Sequence, residues 1–170
     1  MRVELGSLVG KGGFTHDYAA GELALSDERV SVAVPPKVSG RIRRAERKVV
    51  VEGKVDTVAE VECDRCLGLV TLPIDTEFRV EYVTRDAYLA IESAELAEED
   101  LALSVFDGDF VDIDQIIREE LLLAVPTQVI CREDCKGLCP MCGVDRNLID
   151  CDCKATEIDP RWTELENLRF

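Results

Sequence analysis

Apolar and polar residues alternate over much of the first half of the chain. From Val49 to Cys63 the odd positions carry Val49, Val51, Gly53, Val55, Thr57, Ala59, Val61 and Cys63, while Lys48, Glu52, Lys54, Asp56, Glu60 and Glu62 take even ones. A period of two describes strands with one buried face and one wet face, and the stretch Gly53 to Asp56 predicts a break into two strands. Phe78, Val80 and Tyr82 alternate with Glu77, Arg79 and Glu81 in a later strand. Val30, Val32 and Val34 form an earlier one that Pro35-Pro36 should stop. Cys63 has the apolar parity at a strand end. The Cys63-Asp-Arg-Cys66 segment is therefore expected at a hairpin turn, with Leu67 to Leu72 as the returning strand.

The period then changes. Ile113, Ile116, Ile117, Leu121 and Ala124 fall at helical spacing, Asp112 or Asp114 can cap the start, and Pro126 stops the run. A second short helix is expected from Asp159-Pro160-Arg161-Trp162, with Trp162, Leu165 and Leu168 on one side. These elements predict an α+β fold: an antiparallel β-sheet body covered by a helix, followed by a C-terminal cysteine-rich zinc module. The division is a body over residues 1–126 and a metal-binding tail over 127–170. From Arg85 to Glu120 twelve acids face only Arg85 and Arg118. Residues 85–111 are thus expected as a solvated acidic connection, whose charge could also attract a basic partner.

Composition limits the classes open to the chain. With 170 residues, 46% of them hydrophobic, and a net charge of −15, an ordered globular protein is expected. The uncharged run from Leu121 to Cys131 is too short to span a membrane. Met1-Arg2-Val3-Glu4-Leu5-Gly6 meets a charge at once and has no apolar signal region, so a soluble cytoplasmic protein is expected.

Cysteine stands out from this background. In a reducing compartment, Cys63, Cys66, Cys131, Cys135, Cys139, Cys142, Cys151 and Cys153 read as metal ligands before they read as disulfides. Cys63-x2-Cys66 and Cys139-x2-Cys142 have the spacing that lets two thiolates grip one ion from a tight turn. Cys139, Cys142, Cys151 and Cys153 form a compact local set. Cys63, Cys66, Cys131 and Cys135 make a second, long-range set that would clip the tail to the body. Four thiolates favour zinc, one or two ions per chain, with an iron–sulfur cluster as the rival. Residues 131–154 hold only Leu138, Met141, Val144, Leu148 and Ile149 as large apolar groups, so the tail needs the metal to fold.

Catalytic chemistry is poorly supplied. His16 is the single histidine and lies beside no nucleophile motif, Gly12-Gly13 lacks the context of a phosphate loop, and a full four-Cys site leaves no open position. No enzyme is expected. One basic stretch opposes the acidic average: between Lys37 and Lys54 seven cations face two acids. Lys37, Arg41 and Arg43 should share the face opposite Val38 and Ile42, and Lys48 and Lys54 should join it if residues 44–47 turn. Such a stripe can track a phosphate backbone, although no aromatic side chains interleave with it.

Taken together, the motifs resemble the YceD family of large ribosomal RNA subunit accumulation proteins. The residues that carry the resemblance are Val61-Glu-Cys-Asp-Arg-Cys-Leu67, Asp112-Ile-Asp114 leading to Glu119-Glu120-Leu-Leu-Leu-Ala-Val-Pro126, Cys135-Lys-Gly-Leu-Cys-Pro-Met-Cys-Gly143, Asn147-Leu148, Cys151-Asp-Cys153 and Asp159-Pro160-Arg161-Trp162. The resemblance implies a bacterial non-enzymatic factor in biogenesis of the large ribosomal subunit, supporting 23S rRNA accumulation or maturation. Its implied partners are large-subunit ribosomal RNA or a pre-50S particle, and the acidic stretch adds a basic ribosomal protein as a further expected contact. Two rival expectations are a thiol/zinc redox-responsive switch and an adaptor for proteins only.

Overall fold

The computed structural model describes residues 1–5, 10–45, 48–92, 103–106, 110–153 and 161. Mostly sheet, with two helices among the described residues, it runs β1 (Arg2–Glu4), β2 (Lys11–Asp17), β3 (Val30–Arg44), β4 (Lys48–Glu62), β5 (Leu69–Thr84), α1 (Arg85–Glu92), β6 (Leu103–Phe106), β7 (Phe110–Asp112) and α2 (Ile113–Ala124). The main sheet has the order β2-β3-β4-β5-β6, and β1 pairs with β7 in a small second sheet. The first three pairings of the main sheet are antiparallel; β5 and β6 are parallel, so the sheet is mixed.

The predicted parity holds along β4. Val49, Val51, Val55, Thr57, Ala59 and Val61 are all buried, and so is Cys63 just past the strand end. Facing them is α2, whose Ile113, Ile116, Ile117 and Leu121 are buried in the same core as Val38, Ile42, Ile74 and Phe78. Burying each such side chain is worth roughly 1.5–3 kcal/mol, so this helix and this sheet face hold one another. The Asp112 carboxylate caps the helix by accepting from the N–H groups of Asp114 and Gln115, and the backbone becomes extended at Val125, before Pro126.

Three sequence expectations are corrected. Residues 49–63 do not form two strands, because β4 is continuous from Lys48 to Glu62. Gly53 serves close packing rather than a turn: it lies opposite Gly40 on β3 and Phe78 on β5. A Cβ on Gly53 would sit 2.5 Å from the Ser39 carbonyl oxygen and 2.8 Å from the Phe78 ring. Pro35-Pro36 does not end its strand either. β3 passes through both prolines, with register shifts between Val32 and Val34 and between Val34 and Lys37. β2 pairs with β3 only from Lys37 onward, so the prolines lie at a bulge on a strand edge, where a missing N–H breaks no ladder bond. Third, the acidic stretch 85–111 is not merely a connection: it supplies α1, the parallel edge strand β6 and most of β7. The expected helix from Asp159 lies outside the described residues except for Arg161.

Candidate metal centres

The β4–β5 hairpin ends in Cys63-Asp64-Arg65-Cys66, as the alternation implied. The Cys63 N–H donates to the Gly68 carbonyl at 2.9 Å, and the Leu67 N–H donates to the Cys63 carbonyl at 2.9 Å. The tail repeats this turn. The Cys139 N–H donates to the Val144 carbonyl and the Gly143 N–H to the Cys139 carbonyl, both at 2.8 Å. The residue after each pair adopts a left-handed backbone, with φ of 59° at Leu67 and 73° at Gly143. Two sequence-distant C-x2-C segments thus build one and the same thiolate-presenting turn. Leu67 takes without glycine's freedom a conformation that costs a side-chain-bearing residue about 1–2 kcal/mol.

These turns gather all eight thiols into two sets. Cys63 and Cys66 meet Cys131 and Cys135, and Cys139 and Cys142 meet Cys151 and Cys153; within each set the sulfurs lie within 4.8 Å of one another. This is the partition that spacing suggested. Tetrahedral zinc–sulfur bonds of about 2.3 Å place sulfurs about 3.8 Å apart, and Cys66 Sγ lies 3.7 Å from Cys131 Sγ. A disulfide would require about 2.05 Å. Either set could hold a metal ion.

Backbone amides are already aimed at the sulfurs. Burial works to raise the Cys63 thiol, but the N–H groups of Cys131, Arg65 and Cys66 hold it down to about 6. The N–H groups of Cys142 and Met141 do the same at Cys139, also held down to about 6. Their neighbours move the other way. Cys131, crowded by the Cys135 sulfur, is pushed up to about 12, and Cys153, crowded by the Cys142 sulfur, likewise to about 12. Four thiolates this close repel one another, so each set ionises only in part; a divalent cation at the centre removes that conflict.

Several residues that cysteine spacing does not reveal join the tail to the hairpin. Asp64 accepts from the Val129 N–H through its carboxylate at 2.6 Å, and its own N–H donates to the Val129 carbonyl at 2.8 Å. The Cys131 N–H donates to Cys63 Sγ at 3.3 Å. Arg65 donates through Nη1 to the Cys135 carbonyl at 3.0 Å, while its own carbonyl accepts from the Leu138 N–H at 2.9 Å. Among its described residues the tail has little core of its own to add to these bonds, since Met141, Leu148 and Ile149 are all exposed.

The predicted basic stripe lies on the outer face of the sheet. Lys37, Arg41, Arg43, Lys48 and Lys54 are all exposed, on the face opposite Val38 and Ile42. Carboxylates from neighbouring strands are interleaved with them. Arg41 and Arg43 both pair with Glu52, as does Arg79; Lys48 pairs with Glu81, and Lys54 with Asp75 at 2.7 Å. Hydrogen bonding from Arg43 holds the Glu52 carboxyl below the usual range, and Lys48 does the same for Glu81. Arg41, Arg43, Lys48 and Lys54 of the stripe thus stand in a cross-strand ion-pair ladder. Among the described residues, no helix is long and apolar enough to cross a membrane.

The model of the family described as large ribosomal RNA subunit accumulation protein YceD matches residues 51–169. The chain belongs to the YceD family. The matched span takes in both cysteine sets of this YceD-family chain, most of the hairpin that carries the first pair, and α2. An uncharacterized protein of Mycobacterium tuberculosis is 34% identical over 125 residues, covering 74% of this chain and 58% of the relative. The chain therefore spans less than two-thirds of the length of the mycobacterial relatives. The uncharacterized protein YlbN of Bacillus subtilis is 26% identical over 91% of this chain and 86% of its own. A chloroplast protein of Arabidopsis thaliana, named large ribosomal RNA subunit accumulation protein YCED homolog 1, is 39% identical over 59 residues, which are 35% of this chain and 18% of that protein. No solved structure matches.

Proposed function

We propose that this chain is a non-enzymatic, cytoplasmic factor in large-subunit biogenesis that supports 23S rRNA accumulation or maturation, with zinc in both four-thiol sets as a structural staple. The observation that carries this reading is the convergence of eight thiols into two complete tetrads, in a family named for ribosomal RNA accumulation. Complete tetrads offer a metal no open position for substrate, which fits a structural role. The sheet stripe Lys37, Arg41, Arg43, Lys48 and Lys54 is the RNA contact in this reading. Phosphates must compete there with Glu52, Glu81 and Asp75, and the net charge of −15 opposes nonspecific binding. A weak and reversible contact suits a factor that leaves the finished particle.

The test is sedimentation of tagged chain with large-subunit precursors, in parent and in Arg41→Glu/Arg43→Glu/Lys48→Glu. Loss of cosedimentation in the variant supports the ladder as the contact. Undiminished cosedimentation removes the ladder from the model, and association that also survives ribonuclease favours the protein-only adaptor. Exposure favours a second reading, because Cys131, Cys142 and Cys153 lie at the surface. A redox switch would release metal there under mild peroxide, whereas a purely structural staple retains it.

A further inference from the structure

The eight residues between Cys142 and Cys151 do not simply close the local set; they also reach the long-range one. The Arg146 N–H donates to the Gly137 carbonyl at 3.0 Å, and Asp145 bridges Leu138. Asn147 stands at the centre of this contact. Its Oδ1 accepts from the Lys136 N–H at 2.8 Å and from Arg132 Nη2 at 2.9 Å, while its Nδ2 donates to Asp145 Oδ1 at 2.6 Å and to Cys135 Sγ at 3.4 Å. The surrounding partners fix the amide orientation, since Lys136 N–H can only donate and the Asp145 carboxylate can only accept. Asn147 thus holds both flanks of Cys135 and its sulfur, yet it is carried by a loop whose two ends are ligands of the other set.

We infer that Asn147 is a positioning residue that couples the two metal sets, so that filling Cys139, Cys142, Cys151 and Cys153 strengthens metal binding at Cys63, Cys66, Cys131 and Cys135. The local set closes within fifteen residues, whereas the long-range set spans residues 63 to 135, so chain entropy favours filling the local one first. Metal there pins both ends of the loop and presents Asn147 to Cys135 already oriented. Coupling between sites is reciprocal by thermodynamic necessity. Removal of an outer-shell partner of a metal ligand typically costs 10- to 100-fold in affinity, which sets the size of the expected effect.

This inference rests on the proposal that both sets hold zinc, and the experiment separates the two failures. Reduced full-length chain is titrated with zinc against a chromophoric chelator, with native mass spectrometry reporting ions per chain. Asn147→Ala should weaken the long-range set by 10- to 100-fold, and Cys142→Ser/Cys153→Ser, which disables the local set, should weaken it by a similar factor. Combining all three substitutions should cost no more than either alone, because each breaks the same link. Asn147→Asp keeps the acceptor for Lys136 but loses the N–H···S donation, and should bind no better than the alanine variant. Cobalt(II) supplies a readout that general unfolding would not imitate: loss of the N–H···S bond should shift the thiolate charge-transfer band of the long-range set with the tetrahedral bands retained. Additive losses, or a long-range affinity indifferent to Asn147, would overturn the coupling. A parent chain that binds no zinc would overturn the metal reading itself.

Discussion

Gly137 offers a direct test of whether the tail is fastened to the hairpin as the structure indicates. It adopts φ of +69°, and a Cβ there would lie 2.8 Å from the Arg65 carbonyl oxygen and 3.3 Å from Arg65 Cβ. Gly137→Ala therefore carries two costs. The left-handed backbone costs a residue with a side chain about 1–2 kcal/mol. The displaced Arg65 carbonyl also gives up its bond from the Leu138 N–H, worth about 0.5–1.5 kcal/mol. Their sum of about 1.5–3.5 kcal/mol corresponds to a loss of roughly 10- to 400-fold in metal affinity at the long-range set. Gly143 is the matched control, with φ of +73° and nothing within 4 Å of its notional Cβ; Gly143→Ala should cost only the backbone strain, roughly 5- to 30-fold at the local set. The assay is competition for zinc against a chelator, with the other set disabled by serine substitutions. Equal losses in the two glycine variants, or a Gly137→Ala chain that holds its long-range metal as tightly as the parent, would refute the packing of the tail against Arg65.

Three further outcomes follow from the same geometry. Chelation of bound metal should expose residues 127–153 to protease while far-UV circular dichroism of the sheet is retained, because zinc in small modules supplies on the order of 10 kcal/mol of folding free energy; a tail that stays protected without metal would contradict this. Ile117→Ala should lower body stability by about 2–5 kcal/mol in denaturant titration, with no change in ions bound per chain, since Ile117 is fully buried between α2 and the sheet. The carboxyls of Glu52 and Glu81 are held below their ordinary value by Arg43 and Lys48. Their stabilising effect is present above the unfolded value of about 4.3 and is lost as pH falls through the depressed folded values. The metal-free Glu52→Gln/Glu81→Gln chain should accordingly lose less stability than metal-free parent between pH 6 and pH 3 in urea titration.

Much of the body was legible because alternation reports burial directly. Alternation gives the buried face of Val49, Val51, Val55, Thr57, Ala59, Val61 and Cys63, and the Ile113–Ala124 period marks the covering helix. Where the reading failed, the same residue type serves two purposes. A glycine inside a strand marks either a break or a close approach, and only the cross-strand register, with Gly53 opposite Gly40 and the Phe78 ring above it, distinguishes them. Pro35-Pro36 reads as a strand stop in sequence, because its tolerance depends on β2 beginning to pair only at Lys37. The basic stripe was placed on the correct face, but its neutralisation was invisible, since Glu52 and Glu81 face it from neighbouring strands. Cysteine spacing is enough to sort the eight thiols into their two sets. It carried no signal for Asn147 or Arg65, whose roles exist only once the tail lies against the hairpin.

On the proposed reading, a self-supporting body carries a metal-dependent tail, which allows the two candidate contact surfaces to be separated. Among the described residues the buried apolar cluster extends from Leu5 to Leu121 and takes from the tail only Val129, so removing metal should leave the sheet, its ladder and α2 in place. The hairpin tip and residues 131–153 should then lose their arrangement, because their apolar side chains are largely exposed and hydrogen bonds such as those of Asp64 and Arg65 are left to join them without the thiol sets. Cosedimentation with large-subunit precursors should therefore respond differently to two treatments. If RNA is held on the ladder, chelation should leave most of the association, whereas reversing Arg41, Arg43 and Lys48 abolishes it. If the stapled tail makes the contact, chelation abolishes association and charge reversal on the sheet does not. The ladder reading predicts the first pattern, strengthened when salt is lowered, since about one counterion is released for each phosphate neutralised. The second pattern would move the functional surface from the sheet to the metal sites.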